Sequence, residues 1–215
     1  MRTLFRSHPL TSELVVATAL AEHVTLLPVA PERAGRNHDL LALGMARGRR
    51  VVIGIEGKAA EPFGPEVGPY RQEAKARNER LSVDHDSLVT DTRRSMIPER
   101  IDTCAALIFG KEVPVELDSV QQQLLRAVAA TLLKGASRDA DLAVFLVHQF
   151  AGESIDQARV VANTNALESF VRMLLPSLKE SFRPERLYGP IPSAVQIRGG
   201  HGIRLLVGEV LTVLA

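Results

Sequence analysis

Glu56-Gly57-Lys58 closes an apolar run, Val51-Val52-Ile53-Gly54-Ile55, and Asp39 opens another, Leu40-Leu41-Ala42-Leu43. Two carboxylates and a lysine at strand rims are the parts needed for metal-assisted cleavage of a phosphodiester. A hard divalent cation such as Mg²⁺ takes oxygen ligands and keeps several waters. Asp39, Glu56 and the backbone carbonyl of Gly57 supply such oxygens. The ion polarises the phosphate and acidifies water. The Lys58 ammonium orients the attacking water and offsets the charge that develops on the phosphate oxygens.

These residues need a sheet to position them. Residues 39–46 and 49–57 read as two strands joined by Ala46-Arg47-Gly48-Arg49-Arg50, a tight basic turn around one glycine. Positions 56 and 58 are two apart, so both side chains point to one face. Antiparallel pairing of the hairpin brings Asp39 beside Glu56. Both strands are almost wholly apolar, which places them where both faces are covered.

The remaining elements frame that hairpin. Ser12 caps a helix over residues 12–23, although Val15-Val16 and residues 24–27 are β-prone. Residues 66–100 are rich in charge and predict an exposed helix followed by an irregular loop. Pro98 opens a helix that Gly110 ends after Phe109. Asp118 or Ser119 caps the next helix, whose stripe is Val120, Leu124, Val128 and Leu132. Residues 141–148 form a buried strand. Ser154 with Gln157 gives a capping box for a helix that runs to about Leu175. A final hairpin turns at Gly199-Gly200-His201-Gly202, between residues 194–198 and 203–213.

Composition bounds the reading. The 215 residues, 46% hydrophobic and 24% charged, suit one soluble α/β domain spanning 1–215. No run reaches the roughly 18 apolar residues of a spanning helix, so no membrane is expected. The net charge of +1 gives no global attraction to nucleic acid. Binding must come from a local patch, and Arg47, Arg49 and Arg50 form one at the hairpin tip. Cys104 is the only cysteine, which excludes an intramolecular disulfide and fits a reducing, cytoplasmic setting. Its neighbours make it a buried helix residue. The histidines have no zinc-ligand spacing, and there is neither a Walker loop nor a nucleophile elbow.

Asp39 followed by Glu56-Gly57-Lys58 resembles the PD-(D/E)xK nuclease superfamily. The segments His38 to Leu43 and Val52 to Gly64 also resemble a group of stand-alone bacterial proteins with that core. So do Gln123-Leu124-Leu125 and the strand from Val144 to His148. His38 stands where the superfamily name has proline. The resemblance implies a restriction-endonuclease-like core: a mixed central sheet flanked by helices, in the order α-β-β-β-α-β, with a C-terminal helix and hairpin. It implies a nuclease dependent on Mg²⁺ or Mn²⁺, acting on DNA. Asp39, Glu56, Gly57 and Glu22 are the implied metal ligands, Glu22 from the first helix with Glu13 as its alternative. Asp39, Glu56, Lys58 and Gln123 are the implied catalytic set, Gln123 setting the water or the phosphate. A homodimer is a further expectation, since many such enzymes act as dimers. The alternative is an inactive member of the fold that binds nucleic acid or protein.

Overall fold

The computed structural model describes residues 1–28, 35–83 and 95–214. It is an α/β fold around one six-stranded mixed sheet. A short helix α1 (Arg2–Ser7) precedes three antiparallel strands, β1 (Val15–Leu26), β2 (Gly35–Ala46) and β3 (Arg49–Lys58). Helices α2 (Val67–Val83), α3 (Ile97–Phe109) and α4 (Gln122–Ser137) lead to β4 (Leu142–Ala151). Helix α5 (Gln157–Leu174) and the hairpin β5 (Leu187–Gln196) and β6 (Gly202–Val213) complete the chain. The strand order is β1-β2-β3-β4-β6-β5, and β3, β4 and β6 run parallel to one another.

Alternation along β4 sorts the two faces. Phe145 and Val147 point into a core with Val67, Ile101, Leu124 and Phe170, contributed by α2, α3, α4 and α5. Val144 and Leu146 point the other way, onto Ile53, Leu206 and Leu4 of α1. Both faces of the central strands are therefore covered, which is why they read as unbroken apolar runs.

The hairpin between β2 and β3 turns on Arg47 and Gly48, with φ of 50° and 74°. Two successive positive φ values are the signature of a type I′ turn, whose twist matches the strands it joins. Pro98 lies in the first turn of α3, and Gly110 (φ 69°) ends it. Cys104 is fully buried there, and burial pushes its thiol pKa up to about 12.

Several expectations are corrected. Residues 12–23 do not form a helix: Val15 to Leu26 is strand β1, paired along its length with β2. The run Val15-Val16, with Thr18, Val24 and Thr25, is β-branched and favours the pleated pairing over a helix. Helix α4 is not capped by Asp118 or Ser119, which lie in a 3₁₀ turn over Val115–Ser119; Gln121 precedes the helix. The cap of α5 is Asp156, whose carboxylate accepts from the Ala158 and Arg159 amides, not Ser154. Strand β5 begins at Leu187, earlier than the expected 194–198. The expected irregular loop after α2 falls largely on 84–94, outside the described residues. No helix among the described residues is long and apolar enough to cross a membrane.

Candidate functional site

Glu56 and Lys58 end β3 and point to the helix-covered face. They are buried, at 3% and 6% exposure. Burying a charged side chain is costly unless it has partners. Lys58 has three. Its Nζ donates to Gln123 Oε1 at 3.0 Å, lies 3.9 Å from Glu61 Oε1, and sits 5.3 Å from the centre of the Phe63 ring. Gln123 lies in the first turn of α4, so the positive end of that helix also faces this spot.

Asp39 is held by a different contact. The β2–β3 ladder stops at Leu40↔Ile55. Beyond it, the Asp39 carboxylate takes the place of the next backbone acceptor: the Gly57 amide donates to its Oδ2 at 2.7 Å. That pins Asp39 against the Glu56–Gly57 peptide. Asp39 Oδ2 lies 3.5 Å from where a Gly57 Cβ would project. Asp39→Ala should cost about 1 kcal/mol by freeing this amide, whereas Asp39→Asn keeps an acceptor oxygen and most of the stability. Urea unfolding of the two variants checks the contrast.

Glu22 is on a strand, not a helix. Ala21 pairs with Leu40 and His23 with His38, so Glu22 faces Asp39 in the register. Glu22 has a φ of 52° and is solvent-exposed. Among the described residues, no three Asp, Glu, His or Cys side chains converge closely enough to hold a metal ion. Glu22 therefore does not complete a three-carboxylate set with Asp39 and Glu56.

The arginine tip is not brought to this site. Arg49 begins β3 and Lys58 ends it, nine residues apart, roughly 30 Å at 3.3 Å per residue. At the tip, Arg47 Nε donates to Glu13 Oε1 at 3.2 Å, and Arg50 Nη1 lies 3.9 Å from Asp139 Oδ2. His148 is also turned away. It stacks on Phe150 at 4.4 Å and shares a hydrogen bond of 2.8 Å with Thr212 Oγ1. Burial first, and the amino terminus second, hold its pKa below the usual imidazole value.

A family model described as a domain of unknown function, DUF6946, matches residues 1–200. The chain belongs to the DUF6946 family. No curated protein and no solved structure matches it.

The DUF6946 chain also places two residues beside the site that the motif did not name. Gln149 of β4 pairs with Lys58, and Glu209 of β6 pairs with Val147, itself paired with Glu56. Both side chains are fully buried. Gln149 Nε2 donates to Glu209 Oε1, and Thr164 Oγ1 of α5 donates to the same oxygen at 2.9 Å. Asn163 Nδ2 donates to the Glu61 carbonyl at 3.0 Å, tying α5 to the segment that follows Lys58. A sequence signal existed: Glu209 is the only charge in Leu205–Val213, an otherwise apolar strand.

Burial raises the Glu209 carboxyl above its ordinary value of 4.5; the Gln149 and Thr164 donors pull it back in part. A raised folded-state pKa stabilises the fold below the ordinary value. That contribution is lost as pH rises through the raised pKa. Wild type should therefore lose stability across this window, and Glu209→Gln should flatten the slope. Thermal melts at stepped pH read the difference.

Proposed function

We propose that this DUF6946 chain is a divalent-metal-dependent phosphodiester hydrolase of the PD-(D/E)xK type, acting on DNA. One observation carries the reading. A buried lysine and a buried glutamate share one face at the end of a central strand, and an aspartate from the neighbouring strand is fixed to the peptide beside them. A polar strand end facing water would leave these charges exposed. Here Glu56 and Lys58 are enclosed, and Lys58 is bonded to Gln123 of α4.

Asp39 and Glu56 would hold Mg²⁺ or Mn²⁺, with the Gly57 carbonyl as a further oxygen. The ion supplies Lewis acidity when bound. The chain's own residues do the rest. Gln123 Oε1 and the Phe63 ring fix the direction of the Lys58 ammonium. Lys58 then orients the attacking water and the phosphate oxygens, with no rotamer search needed at the moment of reaction. The amino-terminal end of α4 adds a favourable field for the phosphate.

A second reading has its own support. Asp39 is committed to the Gly57 amide, and no third carboxylate, histidine or cysteine among the described residues joins it and Glu56 as a metal-holding group. Those features suit an inactive binding module of the same fold. Calorimetric titration with Mn²⁺ separates the two. Under the hydrolase reading, wild type binds the ion and both Asp39→Asn and Glu56→Gln weaken binding at least tenfold. Absence of Mn²⁺ binding by folded wild type would favour the module.

A further inference from the structure

Two basic side chains meet where β1 crosses the carboxyl-terminal half of α4, and a third follows on the helix. Lys134 Nζ lies 2.9 Å from His23 Nε2. Arg138 follows Lys134 by one helical turn, at the end of α4. None of the ion pairs among the described residues includes Lys134 or Arg138. A neutral imidazole accepts from the ammonium and holds it in place. Burial is the main reason that the pKa values of His23 and Lys134 fall, and the neighbouring cations add to it. Close cations repel each other and become favourable neighbours once an anion bridges them.

Their position gives the anion a context. His23 pairs with His38, the residue beside Asp39. His38 is buried and shares a hydrogen bond of 3.0 Å with Thr131 of α4. The basic group therefore starts one residue from the proposed metal ligand and continues along α4. At its far end, Arg50 Nη1 donates to the Arg138 carbonyl at 3.3 Å. A cavity of about 230 Å³, lined by Leu43, Val52, Arg50, Arg138 and Ala140, opens there. The group thus runs along α4 toward Arg50, which is itself partnered by the carboxylates of Asp139 and Asp141.

We propose that His23, Lys134 and Arg138 form a phosphate-contact site for the nucleic-acid backbone flanking the phosphate presented to Asp39, Glu56 and Lys58. The inference rests on the phosphodiester reading for its ligand. It concerns binding alone and is tested without catalysis.

The test is fluorescence anisotropy with a labelled DNA duplex, and with its single strand, in EDTA over a series of salt concentrations. The proteins are wild type, Lys134→Gln/Arg138→Gln, and a charge control, Arg186→Ala. Each neutralised phosphate of a duplex contributes about 0.9 to the slope of log K against log salt. The double variant should lose about 1.8 of that slope on the duplex, or about 1.4 on the single strand, with unchanged melting temperature, and the control should keep it. If the double variant melts early, Lys134→Arg should still bind as wild type does. An unchanged slope in the double variant, or a wild type that binds neither DNA, overturns the site. DNA binding that depends on the basic group, from a protein that Mg²⁺ and Mn²⁺ leave unable to cleave, would retain this site and reject the hydrolase reading.

Discussion

Lys58→Ala should reduce metal-dependent cleavage by about 10²–10⁴-fold, the usual contribution of a positioned acid–base or charge-stabilising group. The size of the effect follows from how the lysine is held. The residue is 6% exposed and its ammonium is bonded to Gln123, so it is already aimed before any substrate arrives. Lys58→Met is the sharper variant. It keeps an unbranched stem of similar length and removes the ammonium together with its bond to Gln123. Cleavage should fall as far as in Lys58→Ala, while melting temperature stays closer to wild type. Gln123→Leu should have a smaller effect, about tenfold or less, because it loosens the ammonium without removing it. Initial rates at saturating Mg²⁺ check the order.

The second large effect is on stability. A Cβ at Gly54 would stand 2.4 Å from Thr131 Oγ1, and 2.7 Å and 2.8 Å from His38 Cδ2 and Nε2. Thr131 and His38 are both fully buried. Neither can swing into solvent, so α4 or the strand must shift. Gly54→Ala should cost about 1–3 kcal/mol, as overpacking in a close-packed core does. Gly54→Val should cost more. Melting temperature should fall by several degrees for Ala. Because α4 also carries Gln123, both variants should lose cleavage beyond what their unfolded fraction explains. A Gly54→Ala protein that melts as wild type would show that α4 does not pack this closely.

The same glycine shows what was legible in the chain. Val51 to Ile55 announced a buried strand, and the break at Gly54 carried no sign that a helix would approach there. The pairing of residues 39–46 with 49–57 was readable because both period and turn residues agree. Strand β1 was harder. Its residues Ala17, Ala19, Leu20 and Ala21 favour a helix by local propensity. Pairing with β2 overrides that preference, and no short-range pattern announces a long-range partner. The consequence for the site is direct. With β1 a strand, Glu22 arrives opposite Asp39, yet it remains exposed on the outermost strand of the sheet.

The paired residues of the motif were legible because both depend on strand period. Glu56 and Lys58 share a face as their spacing requires. The commitment of Asp39 to the Gly57 amide was not legible. It arises where the ladder ends, and no residue type signals the last rung. Gln149 and Glu209 became neighbours of Lys58 and Glu56 only through the parallel order β3-β4-β6. That order depends on the crossover through α2, α3 and α4, which spacing within a segment cannot specify. The basic group of His23, Lys134 and Arg138 likewise joins residues more than a hundred positions apart.

The most direct test is a cleavage assay on single- and double-stranded DNA and RNA. It uses wild type and Lys58→Met with Mg²⁺, Mn²⁺ or EDTA. The hydrolase account predicts cutting of DNA by wild type with either ion, none with EDTA, and a loss of about 10²-fold or more in Lys58→Met. No cutting by folded wild type under any of these conditions would contradict it. So would cutting that Lys58→Met retains in full.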